Sequence, residues 1–254
     1  MKRIKITVAY DGTLYHGWQI QPNAVTIEGE LNRCLSELTG ENIEVIGGSR
    51  TDAGVHALGN VAVFDTESRM DPSKFSYALN QRLPDDIKVI DSALVPDDFH
   101  PRHCETIKTY EYRIYRADFP MPVRRLYTYF TYHRLDVQAI REACAYLEGK
   151  HEFKSFCSAH AEAESTVRTL YLVDVREEGP EIVISITGNG FLYNMVRIIV
   201  GTLLYVGTGK YHAEHVADII EACDRSKAGP TVPACGLTLV SYKFLDSEPK
   251  VKRW

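Results

Sequence analysis

"NIEVIGGSRTDAGVHALGNVAVFDT", residues 42–66, sets two apolar-rich runs on either side of a loop of small and polar residues. The patterns of "NIEVIGG" and "GNVAVFDT" predict two consecutive strands joined through that loop. Immediately upstream, "TIEGELNRCLSELTG" has helical spacing. Ile27, Leu31, Cys34, Leu35 and Leu38 form one apolar stripe, Thr26 is the candidate N-cap and Gly40 the stop. Before it, "RIKITVAY" (3–10) alternates as a strand. Downstream, "DPSKFSYALNQRL" reads as a helix opened by Asp71 and Pro72 and ended by Pro84 and Asp85, with "DIKVIDSALV" as a closing strand. The order is β-α-β-β-α-β.

The remainder repeats that order. After "FHPRHCETI" come a long strand, "KTYEYRIYRA", a Pro/Arg-rich connection and the helix "DVQAIREACAYLEG". An irregular aromatic-rich insertion, "KHEFKSFCSAHAEAES", precedes the strands "TVRTLYLVDVREE" and "EIVISITGNG". The apolar helix "FLYNMVRIIVGTLLYVG", a short helix near 212–223 and the strand "GLTLVSYKFL" complete it. Two split β-α-β units predict an α+β fold of two tandem ferredoxin-like halves, 1–98 and 99–254. Joined, they would form a broad mixed, mainly antiparallel sheet with helices on one side and a cleft across the open face.

Composition narrows the class. The chain has 254 residues, 44% hydrophobic and 25% charged, with a formal net charge of −5, an ordinary balance for a soluble globular protein. No apolar run reaches the roughly 20 residues that span a bilayer. "MKRIKITVAY" enters the first strand with no cleavable signal pattern, so the expected location is cytoplasmic. The six cysteines lie far apart without a CxxC pair and read as free thiols. His100/His103 and His212/His215 complete no familiar metal-ligand pattern, and no metal is expected. The acidic balance argues against indiscriminate nucleic-acid binding. Local clusters keep a polyanion partner open: Lys2/Arg3/Lys5, His100/Arg102/His103, Arg124/Arg125 and Lys250/Lys252/Arg253.

Two residues stand out against this background. Arg197 is the one charged side chain in the helix from Phe191 to Val206. So apolar a helix should be buried, and a stranded buried arginine costs roughly 3–5 kcal/mol by analogy with broken buried ion pairs. Arg197 should therefore meet a carboxylate or phosphate, or else snorkel to water at the helix edge. Asn194 and Gly201 share its face, and Gly201 would admit a close backbone. Asp52, in "SRTDAGVHA", is the only acid between Glu44 and Asp65. It is either an Asx-turn residue or a carboxylate placed for chemistry. An Asp52–Arg197 pair would answer both puzzles, because a cation keeps a desolvated carboxylate ionised.

Six blocks carry a family resemblance: "YDGTLYHGWQIQ" (10–21), "SRTDAGVHALGNVAVF" (49–64), "NQRLPDDIKV" (80–89), "FHPRHCETIKTYEYRI" (99–114), "GNGFLYNMVRIIVGTLL" (188–204) and "RSKAGPTVPACGLTL" (225–239). In order and over nearly the full chain, they resemble the signature blocks of the tRNA pseudouridine synthase A family. The resemblance implies conversion of uridine to pseudouridine at positions 38, 39 and 40 of the tRNA anticodon stem-loop. It also implies an RNA-binding cleft, a homodimer and no cofactor. The family's catalytic aspartate falls on Asp52 and its basic partner on Arg197. The base-stacking tyrosine falls on Tyr110, the pocket leucine on Leu237 and the base-extruding arginine on Arg50. Ser49 stands where glycine is common and Val232 where alanine is usual.

Such a reaction breaks the N-glycosidic bond and rejoins the uracil through C5. It gains and loses no atoms, in keeping with the lack of a phosphate-binding loop or zinc pattern. A base inside a stem must first be flipped out, at a cost of a few kcal/mol. Stacking on Tyr110, worth roughly 1–3 kcal/mol, offsets much of that. Read without the resemblance, Tyr110 and Tyr112 are alternating residues on one strand face. His100, Arg102, Lys108, Arg124, Arg125 and Arg168 are further candidates for phosphate contacts. The rivals are a non-catalytic RNA-binding module, since ferredoxin-like sheets commonly bind RNA, and a metal-dependent hydrolase, which lacks a coherent ligand set.

Overall fold

The computed structural model describes residues 1–158 and 165–245. Lys250, Lys252 and Arg253, and residues 159–164 of the expected insertion, lie outside the described residues. The described residues form two compact units, 1–106 with 239–245, and those between 107 and 238.

The first unit runs β1 (Lys2–Tyr10), α1 (Ile27–Thr39), β2 (Ile46–Gly47), β3 (His56–Thr66), α2 (Phe75–Asn80), β4 (Ile87–Val95). Its strands lie in the order β4-β1-β3-β2 with every pair antiparallel, the split β-α-β arrangement that the sequence predicts. Strand β1 alternates as expected, with Ile4, Ile6 and Val8 fully buried. Helix α1 starts at Thr26, whose hydroxyl accepts from Gly29 N–H at 3.2 Å, and stops at Gly40 in the left-handed region.

Two elements differ from expectation. "NIEVIGG" pairs only at Ile46 and Gly47, because helix α1 captures the upstream backbone. Ile43 N–H donates to Ser36 Oγ and Val45 N–H to Asn32 Oδ1, while both apolar side chains stay buried. The helix expected over 71–83 is a 3-10 turn, Pro72–Lys74, followed by the six residues of α2. Asp71 still caps it, accepting from Ser73 N–H at 2.8 Å.

The second unit contains β5 (Thr106–Arg116) from Ile107 onward, then β6 (Tyr129–Thr131), α3 (Val137–Leu147), β7 (Gly149–Glu152), β8 (Val167–Glu178), β9 (Glu181–Gly188), α4 (Met195–Gly207) and α5 (His215–Ala222). The last strand, β10 (Leu237–Phe244), opens in this unit, and from Leu239 it belongs to the first, beside β3. The order β5-β9-β8 repeats β1-β3-β2, again antiparallel, and β7 extends it. Strand β6 runs parallel to its neighbour, β5. The α+β class and the repeated element order are thus both present. The expected irregular insertion begins instead as a regular strand, since β7 pairs with β8.

Helix α4 starts at Met195, four residues later than its apolar pattern suggests. Asn194 adopts φ 61°, which interrupts the helix before it begins. Ten of its thirteen residues are buried, as so apolar a helix requires. The close approach foreseen at Gly201 is made by Pro230, whose carbonyl occupies the space a Cβ on Gly201 would need, and a Cβ on Gly229 would in turn strike the Gly201 backbone.

Candidate active site

In the first unit the loop carrying Asp52 is held by its neighbours' backbone. Trp18 N–H donates to the Thr51 carbonyl at 3.0 Å, and Gly54 N–H to the Tyr15 carbonyl at 3.2 Å. Gly17, at φ +89°, lies so close that a Cβ would sit 2.6 Å from the Thr51 oxygen and 3.1 Å from the Asp52 carbonyl carbon. No other residue type fits both its conformation and that contact. Beneath the loop, Tyr10 hydroxyl and Thr51 Oγ1 are 2.8 Å apart. The fully buried Asn60 donates to the Ser49 carbonyl at 2.9 Å and to Tyr10 hydroxyl at 3.2 Å. Burial, only partly offset by the hydrogen bonds to Thr51 and Asn60, pushes the Tyr10 phenol well above its ordinary range.

Asp52 itself is half-buried, and its carbonyl accepts from Val55 N–H at 3.2 Å. Ser49 tolerates its position because its backbone is outside the left-handed region, so glycine is not needed there. Arg50 is exposed, with Nη1 at 3.5 Å from Gln19 Oε1, the outer limit of a hydrogen bond. Gly12 N–H and Asp11 Oδ1 both lie 3.1 Å from His56 Nδ1. A ring protonated only on Nε2 takes the first as donor, and an imidazolium takes the second as acceptor.

In the second unit the entry to α4 meets Tyr110 through Phe191 and Arg197 through Asn194. Phe191 meets the Tyr110 ring edge-to-face, centroids 5.0 Å apart at 80°. Tyr110 is buried in β5 opposite Ile186, and Tyr112 is buried two residues on. Arg197 is half-buried rather than sealed. Its Nε donates to the Val232 carbonyl and its Nη1 to Asn194 Oδ1, both at 2.7 Å. Since the backbone of Val232 makes the contact, exchange with alanine leaves it intact. Leu237 is buried at the start of β10.

The candidate phosphate ligands fall into different environments. The His100 ring stacks on His103 at 3.8 Å and its Nδ1 accepts from Arg102 N–H at 3.2 Å. Partial burial, then the nearby His103 and Arg102, hold its pKa below the ordinary imidazole value. At neutral pH it therefore offers an Nε2–H donor, not a charge. Arg102 is exposed and Lys108 half-exposed on β5. Arg168 is drawn in, donating to the Ser165 and Val167 carbonyls at 2.8 and 2.7 Å, and burial lowers its pKa. Arg124 is no free surface charge: it pairs with the nearly buried Glu181. Arg125 is exposed.

Sequence reasoning passed over Gly17, Trp18, Asn60 and Phe191. The spacing of glycines and aromatics in "YDGTLYHGW" was the available signal for the first two, because a loop of that composition suits close backbone packing.

A family model described as tRNA pseudouridine synthase matches residues 6–103 and 143–244. The chain is 48% identical over 244 residues to tRNA pseudouridine synthase A of Acetivibrio thermocellus, covering 96% of this chain and 100% of that protein. It is 47% identical over 245 residues to that of Ruminiclostridium cellulolyticum, covering 96% and 100%. With that of Halalkalibacterium halodurans it shares 49% over 238 residues, covering 93% and 90%.

Proposed function

Because the chain belongs to the tRNA pseudouridine synthase family, we propose that it modifies uridines 38, 39 and 40 of the anticodon stem-loop, with Asp52 as its catalytic group. Membership itself makes it an isomerase that forms pseudouridine in tRNA. It also sets aside the non-catalytic RNA-binding module.

The observation that supports Asp52 most is the clamp around its loop. A surface turn needs no Gly17 pressed on its backbone, no Trp18 bonded to Thr51 and no fully buried Asn60 beneath it. A reacting carboxylate does need such fixed placement. In the reaction the N1–C1′ bond breaks and a C5–C1′ bond forms. C5 releases its proton and N1 takes one up, so the atoms balance. Asp52 acts ionised, whether on C1′, on the base or on a ribose proton.

In this reading the N-terminal half, 1–98, supplies Asp52 and Arg50. The C-terminal half, 99–254, supplies Tyr110, Arg197 and Leu237. Arg197 is the cation that favours the ionised carboxylate. Tyr110 stacks on the flipped uracil, Leu237 lines its pocket and Arg50 fills the space the base leaves. Arg102, Lys108, Arg125 and Arg168 hold phosphates electrostatically, and His100 donates a neutral hydrogen bond. The protein works in the cytoplasm as a homodimer.

The test uses unmodified tRNA without added cofactor, with pseudouridine mapped by position. Asp52→Ala is expected to abolish product while tRNA still binds. Arg197→Met is expected to lower turnover by orders of magnitude with a modest change in stability. Turnover near wild type in Asp52→Ala would exclude Asp52 as the catalytic group, and product at other positions would displace the stem-loop assignment.

A further inference from the structure

Asp11, Thr26, Asp71, Asp136 and Asp224 each open a helix or 3-10 turn, and each side chain accepts from the backbone it caps. Asn194 opens α4 and makes no such bond. Its backbone is left-handed, a conformation that, among the described non-glycine residues, only Cys223 shares. A non-glycine residue held there is strained, and the surroundings must compensate.

The Asn194 amide is occupied sideways at both ends. Oδ1 accepts from Arg197 Nη1 at 2.7 Å, and Nδ2 donates to Ser158 Oγ at 2.9 Å. A guanidinium has no acceptor, so the amide can face Arg197 only through its oxygen. That choice leaves the NH2 end for Ser158. The Val232 carbonyl also holds Arg197, through Nε. Both of these acceptors are uncharged.

We propose that Asn194 is a positioning residue for pseudouridine formation. It fixes the Arg197 guanidinium through a neutral acceptor, and Ser158 fixes the amide in turn. The guanidinium is oriented without its charge being cancelled by the group that orients it. An aspartate in the same place would grip Arg197 as firmly and would tolerate the left-handed backbone. It would also neutralise Arg197 and place an anion beside the charge that is to favour ionised Asp52. The inference rests on the reading of Arg197 as the cationic partner of Asp52.

Asn194→Gly and Asn194→Asp test it, alongside Arg197→Met. Glycine keeps the backbone conformation and removes only the amide. Its kcat is expected to fall about tenfold, with KM for tRNA within about twofold of wild type and the urea midpoint unchanged or raised. Asn194→Asp should move the acidic limb of the kcat/KM profile up by about one pH unit, which a merely structural residue would not do. Ser158→Ala should follow in the same direction with a loss of about threefold.

Wild-type kcat and an unmoved acidic limb in both Asn194 variants, with Arg197→Met inactive, would overturn the inference and leave the role of Arg197 standing. Full activity of Arg197→Met would overturn both. Should Asn194→Asp fail to fold, the kcat of Asn194→Gly decides alone.

Discussion

Two aspartates of the first unit show how differently one residue type is used. Asp65 accepts from Arg3 Nε and Nη2 at 2.8 and 2.7 Å, and the third guanidinium nitrogen donates to the Phe99 carbonyl at 3.0 Å. The Arg3 hydrogen bonds hold the Asp65 carboxyl below its usual range. With the folded pKa below the unfolded value of about 3.9, the pair stabilises above that pH and is lost as pH falls through the folded value. Both side chains keep some contact with water, so the contribution is only about 1 kcal/mol. Asp65→Asn should lose that amount at neutral pH and show a flatter decline in urea stability below about pH 4. The pair is structural, tying β1 to β3. Asp52 is half-buried in a loop whose backbone is fixed by Gly17 and Trp18.

At the scale of elements, legibility followed the bonding of the backbone. Strands β1, β3, β5 and β9 and helices α1 and α3 read directly, because side-chain period and capping residues agree with ladder and helix bonds. The run "NIEVIGG" kept its apolar pattern yet lost its ladder, since side chains of Asn32 and Ser36, more than six residues away in sequence, took its N–H groups. No periodicity encodes that. Likewise Arg197 was legible as one charge in an apolar helix, whereas the oxygens of Asn194 and Val232 that hold it depend on a turn and a distant segment.

Gly201 gives this scale its test. Gly201→Ala drives a Cβ into the Pro230 carbonyl, so residues 229–232 must shift and draw the Val232 oxygen away from Arg197 Nε. A stability loss of about 1–3 kcal/mol by urea denaturation is expected, together with a fall in kcat measured under conditions where the variant is fully folded. Unchanged kcat would separate that crossing from the chemistry.

For the molecule as a whole, a net charge of −5 must be reconciled with a polyanionic substrate. Part of the acidity is engaged internally: Glu111, Glu178 and Glu181 pair with Arg113, Arg176 and Arg124. Binding through the remaining cations should weaken linearly in log–log form with salt. Arg102→Ala and Lys108→Ala should each reduce that slope by about one. His100→Ala should weaken binding near pH 8 without altering it, because a neutral imidazole displaces no counterion. Filter-binding titrations across salt concentrations separate these outcomes, and an equal slope in all variants would remove the phosphate assignments.

Trp18 adds a different kind of consequence. Its indole is buried against Gly47 and, among the described residues, its Nε1–H has no acceptor, while its backbone is bonded to Thr51 beside Asp52. The chain has one other tryptophan, Trp254. An indole shut away from water emits at short wavelength and is poorly quenched by iodide or acrylamide. In a Trp254→Phe background, the fluorescence of Trp18 is therefore an intrinsic optical gauge of the loop's integrity. Any loosening around Asp52, by mutation or by arriving RNA, registers there as a red shift before any product is counted.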